Sequence, residues 1–252
     1  MGLTIARLCH AAEDLQIVGA IAADGDPQLG RDLGELAGMG ALGVETTADV
    51  AAGLLGADVV IDFSAAPAVA GLAALAAHQQ VALVSGTTNL GPTTERALDR
   101  AAERVAVLWA PNTSLGVQVL AELVRDAVAK LGAGYDVEIV ELHHRRKTDA
   151  PSGTAKRLAQ AARAARPELL DRYAREGDTG ARKDDELGVF GVRGGDVVGD
   201  HTVYLLGPGE RLELSHRATS RELFAHGALR AARFLLDKPP GRYTISDVLG
   251  SG

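Results

Sequence analysis

Two adjacent histidines, His143 and His144, close a strand-like run, and Lys147 follows in the turn beyond them. Imidazole and ammonium groups can be tuned to exchange protons near neutrality, whereas a guanidinium effectively cannot. Lys147 comes directly after Arg145 and Arg146, in a chain with only five lysines among its 26 Lys and Arg residues. That choice hints at a need for an ammonium. Beyond the basic turn, Pro151-Ser152-Gly153-Thr154 reads as a helix start, because proline suits a first turn and serine caps it. The free N–H groups of such a start can hold a carboxylate. His144, Lys147 and the Gly153 and Thr154 amides can therefore converge on a small anion. A solvated basic loop before an ordinary cap would show the same run of residues without the anion.

Three further segments sit where apolar runs stop: Asp62-Phe63-Ser64, Gly86-Thr87-Thr88 and Ala110-Pro111-Asn112-Thr113. Ligands of open parallel sheets bind at the carboxyl ends of strands, so three such ends together point to a ligand site. The match of Gly38–Gly43 to G-x-G-x-x-G does not. A phosphate loop needs a strand before it and a helix after it, and here a short helix, Asp32–Ala37, precedes and Val44-Glu45-Thr46 follows. The segment reads as a flexible connection. His10, His78 and His226 fall in helix-like segments and read as structural or surface residues. No spacing suggests a metal site, and Ser152 lacks the turn of a hydrolase nucleophile.

The elements that must position these groups follow from periodicity. Short apolar runs at Ile17–Ala22, Asp58–Phe63, Val81–Ser85 and Val105–Ala110 alternate with helical patterns at Thr47–Leu55, Pro67–His78, Thr93–Arg104 and Ser114–Lys130. That rhythm predicts an α/β fold with a doubly wound, Rossmann-like parallel sheet. After Gly134 it changes. Asp136–His144 alternates, with Val137, Ile139, Glu141 and His143 on one face. A helix carrying Ala155, Leu158, Ala159 and Ala162 follows, then strands at Leu187–Val192, His201–Leu206 and Arg211–Ala218, the last two joined by a hairpin at Gly207–Glu210. This predicts a second, smaller α+β domain with a mixed, largely antiparallel sheet. Residues Arg163–Asp185 are polar and read as a surface excursion. A final helix spans Arg221–Leu236. The expected domains are 1–114 with 224–252, for dinucleotide binding, and 115–223, for substrate binding and oligomerisation.

Length and composition set the outer bounds. A chain of 252 residues, 46% hydrophobic and 23% charged, is globular and large enough for one big domain or two small ones. Collagen, coiled coil and global disorder are excluded. A net charge of −7 argues against a nucleic-acid partner. The apolar stretches, such as Val69–Ala77, fall short of the roughly 20 residues of a membrane helix. The N-terminal residues lack a signal-peptide pattern, so the expected location is cytoplasmic and no membrane partner is expected. Cys9 stands alone, which excludes an internal disulfide and fits a reducing compartment.

On these residues the chain resembles the 4-hydroxy-tetrahydrodipicolinate reductase family, also called dihydrodipicolinate reductase, of bacterial lysine and diaminopimelate biosynthesis. The resemblance rests on ELHHRRKTDAPSGTA at Glu141–Ala155, VIDFS at Val60–Ser64, GTT at Gly86–Thr88, APNTSLG at Ala110–Gly116, RGGDVVGDHT at Arg193–Thr202 and GERLELSHRATS at Gly209–Ser220. It implies an oxidoreductase that passes hydride from NADPH or NADH to a cyclic imine dicarboxylate. It further implies that His143 and Lys147 are catalytic and that His144, Lys147, Gly153 and Thr154 bind substrate. Gly86, Thr87, Thr88, Ala110, Pro111, Asn112 and Thr113 would line the cofactor, and the assembly would be a homotetramer. Two related readings share these features: an impaired paralogue that binds a pyridine dicarboxylate, and another two-domain nicotinamide-dependent imine reductase.

The chain departs from the family pattern in two places. Met1-Gly2 match the end of a Gly-Arg-Met-Gly loop, so the first strand and most of the phosphate loop are expected to be absent, leaving unpaired strand edges. Lower stability and weaker cofactor binding would follow. Restoring upstream residues should then tighten NADPH binding; unchanged affinity would count against this. The acid that usually holds the adenosine ribose falls at Ala22, with Asp24 nearby, which leaves the preference between NADH and NADPH open.

Overall fold

The computed structural model describes residues 1–250. Its elements run α1 (Gly2–His10), β1 (Ala20–Ile21), α2 (Leu33–Ala37), β2 (Thr46–Thr47), α3 (Val50–Gly53), β3 (Val59–Asp62), α4 (Ala66–Gln79), β4 (Ala82–Ser85), α5 (Pro92–Ala102) and β5 (Ala106–Trp109). There follow α6 (Leu115–Leu131), β6 (Asp136–His143), α7 (Gly153–Ala165), β7 (Leu170–Arg172), β8 (Glu186–Arg193), β9 (Gly199–Gly207) and β10 (Glu210–Ala218). The chain closes with α8 (Glu222–Leu236), β11 (Gly241–Tyr243) and α9 (Ile245–Val248). Two compact units result: Met1–Ser114 with the chain from Glu222 onward, and Leu115–Arg221.

In the first unit, β11, β5, β4 and β3 form a parallel sheet in that order. Its strands are the expected apolar runs, and all four residues of β4 are buried. Leu83 and Val107 join Val69, Ala73, Leu98 and Ala101 from α4 and α5 in one core. Val84 and Leu108, next along each strand, point the other way and are fully buried. Helix α8 packs across β3, β4 and β5. The sheet is thus covered on both faces, which is why its strands read as continuous rather than alternating. The run Ile17–Ala22 forms only the two-residue β1, which pairs with β2 and makes no ladder with β3. Ala22 follows β1 directly, and Asp24 is exposed in the turn beyond it.

The Gly38–Gly43 segment is not the flexible connection expected from sequence. The Asp32 carboxylate caps α2 by accepting from the Gly34 and Glu35 amides, and it also accepts from Leu42 and Gly43, the last at 2.7 Å. Those amides, led by Leu42, hold the Asp32 carboxyl below its ordinary range. They are consumed internally and offer nothing to a phosphate.

Close helix packing fixes one strand end. A Cβ on Gly227 of α8 would lie 1.8 Å from the Thr113 carbonyl oxygen. Thr113 Oγ1 in turn donates to the Phe224 carbonyl at 2.7 Å. Gly227→Ala should therefore force α8 away from the strand end and cost roughly 1–3 kcal/mol of stability. Urea unfolding checks this, and an unchanged midpoint would contradict it.

The second unit holds a five-stranded sheet in the order β10-β9-β6-β8-β7. It is evenly mixed rather than largely antiparallel: β10–β9 and β9–β6 are antiparallel, while β6–β8 and β8–β7 are parallel. The reason is α7, a crossover helix that returns the chain to the start of the sheet. Val137, Ile139, Leu187, Val189, Val203 and Leu205 pack from the sheet onto α6 and α7. Residues Arg163–Asp185 are also more than a surface excursion. They finish α7 and contribute β7, and Leu169 is 1% exposed. Arg175 grips both oxygens of Glu138 at 2.8 Å, and Arg182 joins Glu138 to Asp136. Among the described residues no helix is long and apolar enough to cross a membrane.

Candidate active site

Strand β6 positions His143. Its alternation puts Val137 and Ile139 in the core and carries Glu141 and His143 to the same side at the strand's end. Glu141 is fully buried. Its carboxylate takes two bonds from Arg193, at 2.7 and 2.8 Å, one from the Ser152 amide at 3.1 Å, and lies 2.5 Å from His143 Nδ1. Burial pushes the Glu141 carboxyl up, but the bonds from Arg193, His143 and Ser152 outweigh it and hold it below the ordinary range.

Ser152 ties the helix start to the same cluster. Its hydroxyl caps α7 by accepting from the Ala155 amide and lies 3.1 Å from His201 Nε2. Gly153 and Thr154 are the first two residues of α7. A Cβ on Gly153 would meet nothing within 4 Å, so a ligand can approach the backbone there. Lys147 lies in the turn between, its Nζ 2.8 Å from the Asp149 carboxylate. That pairing holds Asp149 below its usual range. Lys147 is close enough to lower the basicity of His143. His144 donates its amide to the Val197 carbonyl at 2.8 Å, and its ring Nδ1 is buried without a protein partner. The residues expected to share an anion site thus come from one strand end, one turn and one helix start. Sequence reasoning missed Glu141, Arg193 and His201 as members of this cluster. Only the placement of Glu141 two residues before His143 on one strand face could have pointed to the first.

His143, His201 and His216 are harder to protonate than a free imidazole. Burial pushes His143 down despite the Glu141 carboxylate, and it also lowers His216. His201, 4% exposed, is pushed down to about 4 by burial first and by the neighbouring His143 second. In the unfolded chain an imidazole titrates near 6.5. Folding therefore excludes protons from His201 between those limits, and stability falls as pH drops from about 6.5 toward about 4. Urea midpoints measured down this range should decline, and His201→Asn should flatten the decline. A profile as steep in the variant would contradict the assignment.

The first unit offers the second set of residues. At the ends of β3 and β4, Asp62 accepts from the Ser85 hydroxyl at 2.6 Å, the Thr87 hydroxyl at 2.8 Å and the Ser64 amide at 2.9 Å. Trp109 Nε1 donates to the Thr87 carbonyl at 2.9 Å, so β5 also anchors this loop. Gly86, Thr87, Ala110 and Thr113 are buried, Thr88 and Pro111 are exposed, and Asn112 lies between. Asn112 Oδ1 accepts from the Ser114 amide at 2.9 Å.

Family models for dihydrodipicolinate reductase match both parts of the chain, the N-terminal model over residues 1–113 and the C-terminal model over 116–249. The chain belongs to the dihydrodipicolinate reductase family. A 4-hydroxy-tetrahydrodipicolinate reductase of Anaeromyxobacter sp. (strain Fw109-5) is 52% identical, covering 99% of this chain and 94% of the relative. One from Halorhodospira halophila (strain DSM 244 / SL1) is 45% identical, covering 99% and 95%. Among solved structures, the dipicolinate-bound dihydrodipicolinate reductase from Paenisporosarcina sp. TG-14 shares the fold, with a TM-score of 0.77, 21% identity, and coverage of 97% of this chain and 94% of that one. As a member of the dihydrodipicolinate reductase family the chain is an oxidoreductase, and its N-terminal part, residues 1–113, is the domain for NADPH or NADH. The strand ends fit that group: buried, hydrogen-bonded Gly86, Thr87, Ala110 and Thr113 make a fixed rim, while Thr88 and Pro111 face solvent.

Proposed function

We propose that His143 and Lys147 handle the protons of this reductase and that His144, Lys147, Gly153 and Thr154 hold its substrate. The chain is an NADPH- or NADH-dependent reductase that converts 4-hydroxy-tetrahydrodipicolinate to tetrahydrodipicolinate in lysine and diaminopimelate biosynthesis. The substrate is a cyclic imine dicarboxylate. Loss of its hydroxyl as water leaves a carbon–carbon double bond conjugated to the ring imine. Reduction then adds a hydride to one carbon and a proton to the other. The bound nicotinamide supplies the hydride.

This chain's residues do the rest. The first amides of α7, at Gly153 and Thr154, suit one carboxylate because a helix start carries partial positive charge. The Lys147 ammonium and the His144 ring suit the second charge and the ring nitrogen. Lys147 Nζ carries a proton it can give, and His143 can accept or return one. Asp149 holds Lys147 in place at 2.8 Å until substrate competes for it. Gly86, Thr87, Thr88, Ala110, Pro111, Asn112 and Thr113 line the cofactor. The observation that carries this reading is the buried, Glu141-braced His143 beside Lys147 at a helix start that is open to a ligand.

Mixing the protein with NADPH and freshly generated substrate should deplete the reduced nicotinamide, and dipicolinate should compete with the substrate. Depletion without dipicolinate competition would favour a reductase of another imine. Binding of dipicolinate without depletion would favour the impaired paralogue.

The same reading makes the assembly a homotetramer built through the second unit. Its sheet face opposite α6 and α7 carries half-buried Val140, Leu142, Phe190 and Tyr204 and exposed Val192. Val192→Asp should lower the mass measured by light scattering; an unchanged mass would count against this interface. The same reading puts the enzyme in the cytoplasm.

A further inference from the structure

We propose that Glu141 is a positioning residue that fixes the proton of His143 on Nδ1, so that Nε2 is the atom that exchanges a proton during turnover. The inference rests on the role given to His143 above. Both oxygens of Glu141 are committed. Oε1 accepts from Arg193 and from the Ser152 amide, and Oε2 accepts from Arg193 and faces His143 Nδ1 at 2.5 Å. A buried carboxylate with three other donors already in place has no proton of its own to give. Its last partner must therefore be a donor, which requires Nδ1–H on the ring. The opposite nitrogen lies against β9. A Cβ on Gly199 of β9 would stand 2.9 Å from His143 Nε2, so glycine at that position keeps a side chain from crowding Nε2.

The ring is held on its other sides as well. His201 packs against it edge to face, with centroids 5.1 Å apart. The charged and titratable groups that face it are Glu141 on its own strand, Lys147 in the turn, Arg193 on β8 and His201 on β9. Only Glu141 favours the protonated ring. The carboxylate therefore has two effects on His143. It selects the tautomer, and it keeps the ring protonatable in a surrounding that opposes protonation.

A purely structural Glu141–Arg193 pair would predict neither effect, so the test reads the ring itself. In nitrogen-15 histidine-labelled wild-type protein, neutral His143 should carry its proton on Nδ1; a dominant Nε2–H form would overturn the proposal. Glu141→Gln should mix the two forms and move the His143 titration to lower pH. It should also lower kcat by about 10²-fold while leaving the KM for NADPH within about twofold. A folded variant whose His143 tautomer and titration match wild type would overturn it too. Should the variant not fold, the wild-type tautomer alone decides. The catalytic role of His143 fails separately: His143→Ala would then leave kcat intact, whatever the tautomer.

Discussion

Lys147→Ala is expected to lower kcat by about 10²- to 10⁴-fold, the range for losing a positioned proton donor, while the dissociation constant for NADPH stays within about twofold. Lys147 belongs to the second unit, whereas the strand ends proposed to line the cofactor belong to the first. His143→Ala should show the same split. The Lys147 substitution should also raise the KM for substrate, because the ammonium has two tasks, holding charge and giving a proton. Lys147→Arg separates them. It keeps the charge but cannot release a proton, so KM should recover more than kcat. Equal losses in turnover and NADPH affinity would contradict the assigned roles.

Asp62→Ala should give the mirror image. The change removes the acceptor of two buried hydroxyls, Ser85 and Thr87, and of the Ser64 amide. Each buried polar group left without a partner costs about 1–3 kcal/mol, so a stability loss of about 3 kcal/mol is expected. The loop Gly86–Thr88 would lose its side-chain anchor on β3 and keep the Gly86 amide bond to the residue 62 carbonyl, the Thr87 hydroxyl contact with the Ser64 carbonyl and the tie to Trp109. NADPH should then bind at least about tenfold more weakly, the effect of roughly 1.4 kcal/mol, while kcat at saturating NADPH stays near wild type. Fluorescence titration with NADPH and initial rates at high cofactor check the two halves. An unchanged NADPH affinity would remove Asp62 from the cofactor account.

The sequence made some of this legible and hid the rest, for physical reasons. Strands β3, β4 and β5 lie in a sheet buried on both faces, so each appears as an unbroken apolar run that composition alone marks out. Strand β6 is buried on one face, so period-two alternation revealed both its type and the side on which His143 lies. The start of α7 was readable because proline and a serine cap are local signals. Strand β7 was not. Leu170 is 62% exposed at a sheet edge, and Asp171 and Arg172 look like loop residues. The Glu138, Arg175 and Arg182 contacts that pin the segment are separated by 37 and 44 residues, and such pairings leave no periodic trace. Strand β11 was hidden by its length of three residues directly after two prolines.

The site divides along the same line. The spacing of His143, Lys147 and Gly153 pointed to the groups proposed to meet substrate. The residues that hold those groups in place, Glu141, Arg193, His201 and Asp62, gain their meaning from partners far along the chain. Arg193, for example, is 52 residues from Glu141. The Gly38–Gly43 match shows the converse. A local motif read as a flexible connection, yet the tie that orders it runs to Asp32 and could not be seen from the glycines.

The central claim is that the end of β6, the basic turn and the start of α7 together receive a dicarboxylate ring. A crystal structure of the protein with NADPH and dipicolinate tests this most directly. The account predicts one carboxylate on the Gly153 and Thr154 amides and the other within hydrogen-bond reach of Lys147 or His144. Dipicolinate bound elsewhere, with Lys147 still paired to Asp149, would contradict it.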